Sequence, residues 1–218
     1  MHDMLRAELM SGAWPFGASF STYDLAHRFG ISRRPVMDAL ARLESAGFVE
    51  IIPQVGCRVV LPREEQVREH FQLAGALEGA AARLAARAPG AAQIARLEAI
   101  HLGAEPLVEA GDGAGFADAN RELHAAILDL AGNATIARIA RETWDLRDFY
   151  LHDYLQDRPS ADLVQRHAEH RHVLDAIAAR DPEGARGCME AHLERFAREV
   201  VIPGWAAAEA SRTVAGES

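Results

Sequence analysis

ISRRPVMDALARLESAG, residues 31–47, reads as one short amphipathic helix with both ends marked. Ser32 is a good N-cap, Pro35 falls in the first turn, where a missing N–H costs little, and Gly47 closes the far end. Val36, Leu40 and Leu43 recur at i, i+4 and i+7 as the inward stripe, widened by Ala39 and Ala46. Arg33, Arg34, Met37, Asp38 and Ala41 take the opposite face. A shorter helix over 22–29 precedes it, separated only by Gly30-Ile31-Ser32. Two helices joined by so tight a turn make a helix-turn-helix, whose second helix offers its N-terminal residues to the major groove of DNA.

Working outward, residues 3–11 form a first helix with Leu5, Leu9 and Met4 inward, ended by the turn Trp14-Pro15-Phe16-Gly17. Ser21 and Asp24 have the capping-box spacing ahead of Leu25, Ala26 and Phe29. Past Gly47, FVEII and CRVVL flank Pro53-Gln54-Val55-Gly56, which is a hairpin, and a hairpin after a helix-turn-helix is a wing. Beyond Pro62 the texture changes to alanine-rich helical patterns with almost no strand signal. Helices are expected at 63–87, 91–110, 114–131, 135–157, 160–180 and 182–200, with Pro106 kinking or ending the second. Short connections between them predict an antiparallel bundle. The fold class is mainly α, in two domains: a winged helix-turn-helix at 1–62 and an all-helical domain at 63–205. Residues 206–218 are a flexible tail.

Length and composition agree with this division. A chain of 218 residues accommodates two cores. No long run lacks charge, so no membrane span is expected, and MHDMLRAELM lacks the apolar core of a signal peptide. A cytoplasmic protein follows, with Cys57 and Cys188 as free, buried thiols. Residues 1–62 hold six arginines and six acids, so the net charge of −9 lies wholly beyond them. A neutral DNA-binding segment on an acidic body binds DNA weakly without sequence preference and leaves more to specific contacts.

Ten histidines in a chain without lysine raise the question of a metal. Asn120 and His124, at i and i+4, share a helix face beside Leu123 and Ile127. His170 edges the Val173/Leu174/Ile177 stripe, and His192 adjoins Leu193 and Phe196. Three imidazoles and one amide oxygen from three helices can converge on a divalent ion, or form a metal-free pocket that grips a carboxylate. Glu78, Glu122 and Glu169 are the nearby acids, the last two facing solvent or an adjacent arginine. His27, His70, His101, His152, His167 and His172 take no role, His167 being the strongest exception.

The run SRRPVMDALARLESAGFVE, with HAEHRHVLDAIAARDPEGARGCMEAHLERF near the other end, resembles the GntR family of transcriptional regulators. The bundle resembles the FCD type of the FadR subfamily, and the likeness spans about residues 3–200. It implies that Arg33 at the head of the recognition helix and Gly56 at the wing tip contact operator DNA, with Ser32 and Arg34 beside them. Arginine is usual in the family where this chain has Tyr23 and Met37, so the usual operator is not assumed. The resemblance also implies a divalent metal, zinc or nickel, on Asn120, His124, His170 and His192, with Asn120 replacing the usual aspartate. Where some relatives carry an arginine on the first bundle helix, this chain has Ala74.

The function expected is a homodimer that binds double-stranded operator DNA and responds to a small organic-acid effector. It is not an enzyme. The alternatives are a winged helix that binds protein instead of DNA, and a His-ligated metalloenzyme.

Overall fold

A computed structural model describes residues 1–53, 55–156 and 160–199, with side chains except at 151–156, 160 and 161. The expected tail at 206–218 and the middle of the wing turn lie outside the described residues. The chain divides into two compact units. Among the described residues, one holds Met1–Glu64 together with Asp145–Asp153, and the other holds Glu65–Trp144 and those from Tyr154 to Glu199.

In the first unit, α1 (His2–Met10), α2 (Thr22–Phe29) and α3 (Arg33–Ser45) are followed by strands β2 (Val49–Ile52) and β3 (Gly56–Val59). A two-residue strand, β1 (Ser19–Phe20), pairs with β3, giving the antiparallel order β1-β3-β2. Two residues are too few to show a period, and β1 was not expected. Leu5, Leu9, Leu25, Val36, Leu40 and Leu43 are buried together with Ala39 as the core. Met4 and Ala46, expected inward, are exposed: the stripe of α1 is only Leu5 and Leu9, and Ala46 lies past the last helical turn. Ser21 caps α2, accepting from the amides of Tyr23 and Asp24 at 3.1 Å. Ser32 holds the N-cap position of α3, but its side chain makes no capping bond. Gly47 closes α3 as expected, at φ +85°, with its own N–H bonded to Glu44 and that of Phe48 to Leu43. Glu8 accepts a bidentate pair from Arg28 (3.0 and 2.7 Å) and a bond from Trp14 Nε1, tying α1 to α2.

The helical unit holds α4 (Glu64–Ala85), α5 (Ala91–Ala110), α6 (Gly113–Ala131), α7 (Ala134–Gln156), α8 (Ser160–Ala178) and α9 (Pro182–Glu199). Each falls within a few residues of its expected bounds. Helix α5 does not end at Pro106 but runs through it to Ala110. Helix α7 does not belong wholly to the bundle. Its residues Asp145–Asp153 count with the first unit, where Phe149 packs on Phe16 and Phe48 at 5.0 and 5.1 Å and Asp145 pairs with Arg6. Ala81, Leu128, Ala140 and Trp144 form one core cluster of the helical unit; Ala104, Val108, Phe116 and Leu163 form another. Arg171 on α8 clamps Glu98 on α5 with two 2.6 Å bonds.

Two tests follow. Gly56 stands at φ +143°, and a Cβ there would lie 2.6 Å from the Phe20 carbonyl oxygen. Gly56→Ala should therefore cost ~2–4 kcal/mol in urea unfolding of the full chain, from strain and clash together. Gly17→Ala, at φ +77° with open space around it, should cost only ~1 kcal/mol; equal losses would refute the close approach of β1. The second test concerns His101, which is buried on α5. Burial pushes it down to about 4, and the charges of His167 and Arg171 add to this against Glu98 and Glu105. The unfolded chain takes up this proton near pH 6.5, so the stability is complete above that pH and is lost as pH falls toward about 4. The thermal midpoint of chelator-treated protein should fall across that range, and His101→Phe should flatten the fall.

Candidate metal centre and nucleic-acid interface

The outer face of α3 carries Arg33, Arg34, Met37 and Asp38, all exposed. The tight turn before it and the Gly47 stop after it leave this face free while Val36, Leu40 and Leu43 anchor the other. Arg33 donates to Thr22 Oγ1 at 3.3 Å, at the head of α2. Arg34 has no ion-pair partner among the described residues, and no bridge joins it to Asp38. Ser32 is exposed, with its hydroxyl unused by the helix. Tyr23, Arg33, Met37, Val55 and Gly56 line one open groove of about 330 Å³ between the helices and the wing. All six residues expected at the DNA thus lie in the first unit around the head of α3. Gly56 has a structural reason of its own, the close approach of β1.

The histidines converge. His124 on α6, His170 on α8 and His192 on α9 are buried, and ligand atoms from all three lie within 4.8 Å of one another. The Nε2 atoms of His124 and His170 stand 3.4 Å apart. Asn120 sits one turn before His124, with its Oδ1 buried and without a hydrogen-bond partner among the described residues.

Carboxylates hold two of these rings from behind. His124 donates Nδ1–H to Glu78, whose other oxygen accepts from Trp144 Nε1 at 3.0 Å. His192 donates Nδ1–H to Glu169 at 2.8 Å. In a neutral ring such a bond places the proton on Nδ1 and leaves Nε2 with its lone pair, the form that ligates a metal. His192 Nε2 is buried and has no hydrogen-bond partner among the described residues. Burial drives His170 well below the usual imidazole range, and the neighbouring histidines add to it. Burial likewise takes His192 down to about 4, against the opposing bond from Glu169. Both rings are therefore neutral at pH 7. Burial alone would raise Glu169, but its bond to His192 and the nearby Arg166 hold it below the usual carboxylate range.

The donor set fits a divalent ion. Two nitrogens bound to one zinc at ~2.0–2.1 Å in a tetrahedral arrangement stand roughly 3.4 Å apart, which is the separation of the His124 and His170 nitrogens.

Several residues given no such role stand at the site. Glu78, only 1% exposed, lies on the inward stripe of α4 with Phe71, Ala74 and Ala82; a charge on a core stripe was the readable signal. Glu169, expected toward solvent or an arginine, meets Arg166 and Arg195 but also His192. His101 was given no role, yet it is buried and stacks on His167 with ring centroids 3.8 Å apart. Ala74 is buried in α4. Cys57 is buried as expected, whereas Cys188 is only partly so, and burial raises both thiols, so neither is an activated nucleophile.

Residues 1–59 match the model of the bacterial regulatory proteins of the gntR family, and residues 69–195 match the FCD domain. The chain is 30% identical over 203 residues to the "Probable D-xylose utilization operon transcriptional repressor" of Paenarthrobacter nicotinovorans, covering 90% of this chain and 85% of that protein. It is 28% identical over 186 residues to the HTH-type transcriptional regulator McbR of Escherichia coli strain K12, covering 85% and 84%. The solved structure of E. coli McbR/YncC superposes with a TM-score of 0.71 at 25% identity, over 89% of this chain and 92% of that one. No helix among the described residues is long and apolar enough to cross a membrane. The chain belongs to the GntR family of transcriptional regulators and carries an FCD domain.

Proposed function

We propose that this regulator is a cytoplasmic homodimer that binds two-fold operator DNA through residues 1–62 and senses a small organic acid through a divalent ion, zinc or nickel, in its helical domain, residues 63–205. The observation that carries the sensing half is the buried triad His124, His170 and His192, two of whose rings use Nδ1 on carboxylates and so keep Nε2 for a ligand. Asn120 completes the donor set. Bound there, the ion supplies Lewis-acidic positions for the oxygens of a carboxylate effector.

Hydrolysis is the weaker reading, because a general base must be free to reach the bound water. Glu78 is engaged by His124 and Trp144, and Glu169 by His192, Arg166 and Arg195. Both position imidazoles. Effector binding shifts the placement of the two DNA-binding domains of the dimer, and with it the half-site spacing they span. The name of the Paenarthrobacter relative adds D-xylose to the organic acids worth screening. An effector-dependent change in the footprint on operator DNA is the readout.

Two experiments test these halves separately. Elemental analysis of purified protein should find about one zinc or nickel per chain, and chelation should lower the thermal midpoint. Glu78→Gln keeps an oxygen facing His124 but removes the charge behind it, and should weaken metal binding ~10–100-fold. Unchanged affinity would refute the role given to Glu78, and a chain purified without metal that takes up none would leave the carboxylate-gripping pocket. For DNA, selection of genomic fragments by the purified protein should enrich promoters with a two-fold repeat. Arg33→Ala should cost ~10–100-fold on the selected duplex, the worth of one bidentate base contact. Weak binding indifferent to sequence would instead favour a winged helix that binds protein.

A further inference from the structure

The groove between the helices and the wing carries three exposed side chains that are apolar or aromatic. Tyr23, Met37 and Val55 are 67%, 36% and 72% exposed, and all three line it with Arg33. Met37 follows Arg33 at i+4 and Arg34 at i+3, so the three share one face of α3. Tyr23 stands at the second position of α2, next to Thr22, to which Arg33 is bonded. The arginines give this face its attraction for a polyanion, but the apolar residues add nothing to that attraction.

An apolar side chain pressed against DNA strips water from polar base edges unless it meets an apolar group. In the major groove the one such group is the C5-methyl of thymine. We propose that Met37, with Tyr23 beside it, reads thymine methyl groups, next to a guanine read by Arg33 or Arg34. Each operator half-site then contains a thymine within a base step or two of that guanine. This rests on the DNA-binding reading above and adds the chemistry of the base recognised. It makes the absence of arginine at 23 and 37 a change of specificity, not a loss of function. The contact buries roughly one methyl group, worth about fourfold in affinity.

The test uses the duplex recovered by genomic selection, with each thymine replaced in turn by uracil, which removes only the methyl. Uracil at one or two positions per half-site should weaken wild-type binding about fourfold. Met37→Ala should weaken binding to the thymine duplex by a similar factor and lose its sensitivity to uracil at one of those positions. Met37→Arg should exchange the thymine preference there for guanine. Tyr23→Phe should leave affinity unchanged if the ring meets a methyl, and a large loss would assign its hydroxyl to a phosphate and remove Tyr23 from the reading. Tight, sequence-specific binding that no uracil substitution alters would overturn the proposal while leaving the regulator intact. Failure to select any specific duplex would overturn the DNA reading and this inference together.

Discussion

The contact between Glu78 and His124 organises the helical unit. A carboxylate almost wholly inside a protein is costly unless its oxygens are occupied. Here one oxygen takes the Nδ1–H of His124 and the other the indole N–H of Trp144. Three helices, α4, α6 and α7, are thereby fixed to one point, each through a side chain that has little freedom to go elsewhere. The same bond chooses the tautomer of His124 and so turns its other nitrogen toward His170. Removing the carboxylate would leave an indole and an imidazole with unmet donors. Removing the imidazole would leave a buried charge. Packing and ligand geometry thus rest on one group.

Much of the fold was legible because it is written in local rules. Helix ends at Gly47 and Ser21 follow from capping, and the bundle helices follow from their apolar period and from Pro and Gly separators. What escaped detection depends on the rest of the molecule. Strand β1 exists only because β3 offers it an edge. Ser32 occupies a capping position without capping, since side-chain direction is not set by position alone. Helix α5 continues through Pro106 because its turns on either side are held by packing through Ala104 and Val108. The split of α7 at Asp145 is invisible to a period that runs unbroken through it.

The site divides in the same way. The three histidines were legible as ligand candidates from helical register and from the family pattern together, while the groups behind them were not. Glu78, Glu169 and His101 matter through partners on other helices, and sequence spacing carries no such information. A charged or polar residue on an inward stripe is nonetheless a readable anomaly. Glu78 on α4, His101 on α5 and Arg166 on α8 each interrupt an apolar stripe, and each is buried with a specific partner.

Asn120 takes a different meaning from this arrangement. An aspartate there would add a third carboxylate to a centre that already holds Glu78 and Glu169 against its imidazoles. It would bind a cation harder and repel an anion harder. Asparagine keeps an oxygen donor without the charge, so a divalent ion in the proposed centre retains more of its field for an incoming carboxylate. In a buried site that difference of one charge acts more strongly than it would in water on any anionic ligand within a few ångströms. Weaker hold on the ion and stronger pull on the effector are then two consequences of one substitution. In that proposed centre the neutral rings of His170 and His192 would serve the same balance, since a metal would bind them without displacing a proton.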